Sequence, residues 1–306
     1  MIRRLVIAAA LAGLVGLGVF WVLTAPQTIA ASTLGPHQID LANGKSMFEA
    51  GGCASCHATP GQADRSQLGG GLALRSPFGT FYVPNISPEL QDGIGSWTEA
   101  QFVTALNKGT SPDGRHYYPA LPYTSYQEIK IDDLRDLFAY IKTLPPIQGK
   151  VRGHDLPFPF TIRRGIGLWK LLFLDGKSFE PDPSKGAAWN RGAYLVNGPG
   201  HCAECHSPRN ILGAVIASQR FAGGPNPDGR GFVPNITQLA LKDWSEQDIA
   251  DLLETGQTPD GDFVGSSMNE EVRGTRQLSP DDRAAIATYI KSLQPVEGPK
   301  PPSKKP

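Results

Sequence analysis

The residues best equipped for chemistry are four cysteines and the two histidines that follow them, in Cys53-Ala54-Ser55-Cys56-His57 and Cys202-Ala203-Glu204-Cys205-His206. These two pentapeptides use every cysteine in the chain. Two thiols two residues apart, with an imidazole directly after, form the pattern of covalent haem c attachment. On one helical turn the sulfurs reach the two vinyl groups of the macrocycle, and the imidazole lies beneath the iron as proximal ligand. With four Cys and six His in 306 residues, chance supplies roughly a thousandth of one such pentapeptide. The competing readings are a pair of disulfides or one zinc site built from four thiolates. A zinc ribbon separates its pairs by about 15 to 20 residues, whereas these pairs stand much further apart and each carries a histidine. The pattern therefore predicts two covalently bound haem c groups, held by Cys53, Cys56, Cys202 and Cys205, with His57 and His206 on the metal.

A proximal histidine leaves one axial position on each iron, and a methionine there raises the potential. The chain has three methionines. Met1 is the initiator. Met47 stands about two turns before Cys53, reads as part of the same short helix, and suits packing. Met268, in the irregular stretch Val264-Gly265-Ser266-Ser267-Met268-Asn269, is assigned to the second haem. The repeat described below sets Leu121 opposite Met268, and leucine has no donor atom. The first haem must use another group or stay five-coordinate. His116, five residues before Leu121, is the nearest nitrogen donor; a surface loop histidine or a partner of a haem propionate is the favoured reading of it. His37 and His154 fall outside the repeated unit.

The elements that must position these residues are written twice. Val83-Pro84-Asn85-Ile86-Ser87 returns as Val233-Pro234-Asn235-Ile236-Thr237, Trp97-Thr98-Glu99 as Trp244-Ser245-Glu246, and Ser111-Pro112-Asp113-Gly114 as Thr258-Pro259-Asp260-Gly261. Tyr140-Ile141-Lys142 returns as Tyr289-Ile290-Lys291. Order is kept and the offsets stay between 147 and 150, which marks duplication of a domain of about a hundred residues. Both copies read as mainly α. The last helix of each has one apolar face, on Leu134, Leu137, Phe138 and Ile141 in the first and Ile286, Tyr289, Ile290 and Leu293 in the second. Ser279-Pro280 starts the latter helix, and Thr98 with Gln101 forms a capping box ahead of Phe102 and Val103. Trp97 and Trp244 read as core aromatics. Asn85 and Asn235 match a glycosylation acceptor, but their shared place in the repeat suits asparagines that brace a loop.

Equal numbers of basic and acidic residues, 29 of each, give no basic groove and no reason to invoke nucleic acid. With 35 Gly and 27 Pro, the chain suits small domains that wrap a cofactor with loops. Arg3 and Arg4 precede an uncharged apolar run of 19 residues, Leu5 to Leu23. That length favours a retained anchor over the shorter core of a cleaved signal, with the N-terminus in the cytoplasm. Small residues at Thr28-Ile29-Ala30 leave cleavage after Ala30 as the other reading. The domain plan is a signal or anchor segment over 1–32, one haem unit over 40–147, a Pro-rich strap over 148–185, a second unit over 186–298, and a solvated tail over 299–306. The strap, with Leu156-Pro157-Phe158-Pro159-Phe160 and Trp169, Leu172 and Phe173, is too apolar for a free linker.

The run Gly109 to Tyr123 with Pro119-Ala120-Leu121-Pro122-Tyr123, the stretch Trp189 to Leu195 leading to His201-Cys202, and Ser207-Pro208-Arg209-Asn210 resemble the multihaem cytochrome c subunits of membrane-bound alcohol, aldehyde and gluconate dehydrogenases. The resemblance covers about residues 40–298. It implies tandem class I cytochrome c folds after an N-terminal hydrophobic helix, a place on the periplasmic side of the bacterial inner membrane, and electron transfer between a dehydrogenase and the respiratory chain. Those subunits have three haem domains, a C-terminal membrane segment, and Met where Leu121 stands; this chain has two units and its hydrophobic segment in front. The alternative function is a dihaem enzyme that uses an open face of the first haem on peroxide or a sulfur compound.

Overall fold

The computed structural model describes residues 1–227, 229 and 231–301, so the last part of the expected tail, 302–306, lies outside the described residues. An apolar helix α1 (Ile2–Leu23) leads the chain with none of its residues buried. The first unit follows as α2 (Leu41–Ala50), α3 (Cys53–His57), a hairpin of β1 (Ala73–Ser76) and β2 (Gly79–Tyr82), then α4 (Glu99–Lys108), α5 (Tyr123–Tyr126) and α6 (Ile131–Ile141). Helix α7 (Gly165–Phe173) lies in the strap. The second unit is α8 (Ala187–Asn197), α9 (Ala203–His206), β3 (Gly224–Pro225), β4 (Phe232–Val233), α10 (Gln238–Leu241), α11 (Glu246–Thr255), α12 (Ser266–Thr275) and α13 (Pro280–Lys291). Both strand pairs are antiparallel, with Ala73 opposite Tyr82 and Gly224 opposite Val233. The protein is mainly α.

The helices start where the side chains dictate. Asp40 caps α2 by accepting the Ala42 and Asn43 amides at 2.9 and 3.0 Å. Thr98 and Gln101 close the capping box on α4, and Ser245 with Asp248 does the same on α11. Ser279 caps α13, with Pro280 in its first turn. In each unit the first and last helices cross, α2 on α6 and α8 on α13. They touch closely because Gly44 and Gly192 present no side chain: a Cβ on either would run into the carbonyl of Asp136 or of Ala285. Leu134, Leu137, Phe138 and Ile141 are buried on α6, as are Ile286 and Ile290 on α13, while Trp97 and Trp244 pack on the same core.

Two local expectations need correction. Met47 does not share a helix with Cys53: α2 stops at Ala50, and Gly52, in the left-handed region at φ 52°, turns the chain before α3 begins. Met47 is fully buried in the core. Met268 is not in irregular chain but in the first turn of α12. Asn85, 4 % exposed, braces its loop by donating to the Ile147 carbonyl at 2.7 Å and accepting from the Ser87 amide at 2.9 Å. Asn235 repeats this with Val296 and Thr237, both at 2.8 Å. Both sites are structural, and the burial of Asn85 leaves no room for a glycan.

Candidate haem centres

Each attachment motif forms its own short helix, α3 or α9, so the two sulfurs of a pair lie about one turn apart and the histidine follows on the same turn. The Nδ1–H of His57 donates to the Pro84 carbonyl at 2.9 Å, and that of His206 to the Pro234 carbonyl at 2.8 Å. This bond fixes the ring and the tautomer, leaving the Nε2 lone pair free for a metal. Burial lowers His57 to about 4 against the pull of the Pro84 carbonyl, and it lowers His206 as well, so both imidazoles are neutral at physiological pH. The chain returns to the same histidines: the Gly70 and Gly223 amides donate to the His57 and His206 carbonyls at 2.9 and 2.8 Å.

No disulfide joins any two of the four cysteines among the described residues. Burial pushes Cys53 and Cys202 up to about 12 and Cys56 and Cys205 up to about 11. A redox-active Cys-x-x-Cys pair needs the opposite shift. Nor do they form one zinc site, since no group of three or more ligating side chains converges among the described residues. Tyr123 Oη and Arg209 Nε are buried donors without a protein acceptor, which fits a ligand that brings carboxylates, as haem does. The residues present fit two haems and fit neither alternative.

The two motifs face each other. Glu204, inside the second motif, accepts from Thr124 Oγ1 at 2.9 Å and Ser125 Oγ at 3.2 Å on α5 of the first unit. In return, Ser55 inside the first motif donates to the Glu270 carbonyl at 3.3 Å on α12, which packs on α3. His201 Nε2 reaches the Gly51 carbonyl at 3.3 Å, and its ring stands edge-on to Tyr126 at 5.7 Å. Arginines close both ends: Arg65 donates to the Ala54 carbonyl at 2.8 Å and pairs with Glu270 at 2.7 Å, and Arg209 binds the Glu204 carbonyl and carboxylate, each at 2.6 Å. Burial would raise the Glu204 carboxyl, but Arg209 and the hydroxyl of Thr124 outweigh it and hold the group below its ordinary range. Between the motifs lies Glu271, whose carboxyl burial raises although His201 opposes the shift.

The residues expected on the distal side lie at equivalent places. The bridges Thr110 to His116 and Gln257 to Phe263 close the two loops at a common offset of 147, and five residues on from each stand Leu121 and Met268. Met268 is half-buried against the core. His116 is buried, and its Nε2–H is spent on the Thr24 carbonyl at 2.9 Å, at the end of α1, while its Nδ1 has no hydrogen-bond partner. His37 is tied to Asp136 at 2.7 Å, and His154 accepts the Tyr82 amide at 3.1 Å. The contacts of Glu204, Glu271, Thr124 and Ser125 are invisible in the sequence, where polar residues beside the motifs carry no pattern of their own.

Two haem-attachment helices in two copies of one small helical unit define a dihaem c-type cytochrome. The chain belongs to the cytochrome c family, whose model matches residues 41–145 and 189–294. It is 49 % identical over 260 residues to a "Diheme cytochrome c-type" protein of Cereibacter sphaeroides, covering 84 % of this chain and 87 % of that one. It is 40 % identical over 263 residues to the fructose dehydrogenase cytochrome subunit of Gluconobacter japonicus, covering 84 % of this chain and 53 % of that subunit. It is 32 % identical over 261 residues to the gluconate 2-dehydrogenase cytochrome c subunit of Pantoea cypripedii, covering 82 % of this chain and 58 % of that subunit. The chain thus spans nearly the whole dihaem relative but little more than half of these two dehydrogenase subunits. The protein carries two covalently bound haem c groups and transfers electrons.

Proposed function

We propose that the protein is a membrane-anchored dihaem electron carrier on the periplasmic side of the inner membrane, receiving electrons from a dehydrogenase and passing them to the respiratory chain. Cys53, Cys56 and His57 hold one haem; Cys202, Cys205, His206 and Met268 hold the other. Each haem supplies a one-electron couple when bound. The protein's own part would be to hold the two attachment helices close together, and the observation that carries this reading is the reciprocal contact of α5 on α9 and α12 on α3. That arrangement suits relay between two centres and needs no substrate pocket.

The dehydrogenase donor is supported by relatives that are cytochrome subunits of such enzymes. Retention of α1 is supported by the packing of the residues behind it. Thr24 is 1 % exposed, and the Ile29 amide donates to Thr104 Oγ1 at 2.9 Å; cleavage after Ala30 would strip both from the first unit. Leu121 leaves the first iron without a thioether. His116 is committed to Thr24, so neither side chain would complete the first iron's axial position, whereas Met268 would offer the second a thioether.

Intact mass of the purified, denatured protein tests the assignment and the anchor together. The expected result is a chain that retains α1 and carries two haem additions. Cys53→Ala/Cys56→Ala should remove one addition and Cys202→Ala/Cys205→Ala the other. One or no addition on the parent protein would overturn the haem assignment.

A further inference from the structure

We infer that helix α7 and the loops beside it form a second membrane contact, in which the strap lies in the headgroup region of the bilayer that α1 crosses. The inference rests on the reading of α1 as a retained anchor. Helix α7 is inverted with respect to water. Its one charged side chain, Lys170, points inward, 9 % exposed, with Nζ donating to the Lys108 and Gly109 carbonyls at 2.6 Å each and lying 4.9 Å from the centre of the Tyr123 ring. Leu168, Leu171 and Leu172, spaced to share one face, point outward with 46, 54 and 68 % of their surface exposed. A helix facing water has the opposite arrangement.

The patch continues on both sides. Phe158 and Ile162, just ahead of α7, are 80 and 52 % exposed. Trp169 donates its indole N–H to the Leu212 carbonyl at 2.9 Å, which draws in Ile211, 93 % exposed, from the second unit. So many exposed large apolar side chains on and beside one short helix mark a contact site.

Its position identifies the occupant as lipid. Helix α1 is 22 residues long, about 33 Å at 1.5 Å per residue, enough to cross the hydrocarbon core. Its C-terminal end must therefore lie at a membrane surface, and α7 is docked on that end. Arg164 donates from Nε to Thr24 Oγ1 at 2.9 Å and from Nη2 to the Trp21 carbonyl, with its guanidinium 4.1 Å from the centre of the Trp21 ring. A Cβ on Gly167 would lie 2.5 Å from Thr24 Cβ, so the two helices meet without a side chain between them. Arginine and tryptophan at the end of a spanning helix occupy the interfacial belt. An apolar helix fixed in that belt lays its free face among headgroups and upper acyl chains.

The test is photo-crosslinking of the full-length dihaem protein in phosphatidylcholine vesicles doped with a diazirine-bearing phosphatidylcholine, with adducts mapped by peptide mass spectrometry. The expected result is adducts on α1 and also on 158–172 and 211–212, at yields above those at Leu90 and Leu239, exposed leucines outside the patch. Adducts on α1 with none on the strap, or equal yields at all exposed leucines, would overturn the inference, whether water or a partner protein covers the face. Leu168→Glu/Leu172→Glu, which alters only exposed positions, should cut strap adducts to the Leu90 level while α1 stays labelled and two haems stay bound. Should intact mass show a chain that begins after Ala30, the anchor reading fails separately. The same vesicles then test the strap alone, and absence of strap adducts would overturn the inference too.

Discussion

On the proposed assignment, a single side chain distinguishes the two haem centres. Leu121 and Met268 stand five residues beyond matching bridges, and only the thioether favours ferrous iron. Met268→Ala is expected to lower one of two midpoint potentials in a redox titration by on the order of a hundred millivolts, within the roughly 0.8 V that axial ligands span. Leu121→Met is expected to raise the other. An unchanged titration for Met268→Ala would reduce that residue to packing. A carboxyl shifted by burial acts on stability. Burial raises the Glu271 carboxyl, with His201 opposing, so its contribution is fully present below the ordinary glutamate range and is lost as pH rises through the raised value. Glu271→Gln should therefore unfold at a higher temperature than the parent at about pH 8 and at the same temperature near about pH 3, below the ordinary range. A stabilisation independent of pH would show that the carboxylate is not the strained form.

At the scale of elements, the two units are held by helix crossings that tolerate no side chain. Gly44→Ala and Gly192→Ala, which press a methyl onto the Asp136 and Ala285 carbonyls, should each cost about 1–3 kcal/mol of stability, read as a lower denaturation midpoint with both haems still attached. Thr98→Ala, which opens the capping box on α4, should cost about 1 kcal/mol. The same elements show what a sequence can disclose. The caps at Thr98 and Ser279 and the buried faces of α6 and α13 are legible because they depend on residues a few positions apart. The crossing glycines recur at an offset of 148, yet their use is visible only once the opposing carbonyl is in place. The break at Gly52 and the helical turn around Met268 escape the sequence for a related reason: local spacing does not reveal a left-handed residue or a helix start fixed by packing from the other unit.

At the scale of the molecule, the duplication produces more than two copies of one centre. Each unit covers the other's attachment helix, through Thr124 and Ser125 on Glu204 in one direction and α12 on α3 in the other. Contacts between residues about 80 and more than 200 positions apart leave no period in the chain, which is why the two attachment motifs are readable in the sequence and their mutual arrangement is not. The N-terminal helix is tied into the same body, since His116 and Arg164 both bind Thr24 at its end. The histidine closest in sequence to Leu121 thus fastens the N-terminal helix to the first unit.

The measurement that bears most directly on this arrangement is the carbon monoxide difference spectrum of the fully reduced, full-length protein. With one six-coordinate and one five-coordinate haem, about half of the reduced haem should bind carbon monoxide. His116→Ala should leave that fraction unchanged, and Leu121→Met should abolish it. A reduced protein blind to carbon monoxide until His116 is removed would make that histidine the sixth ligand of the first haem and contradict the account.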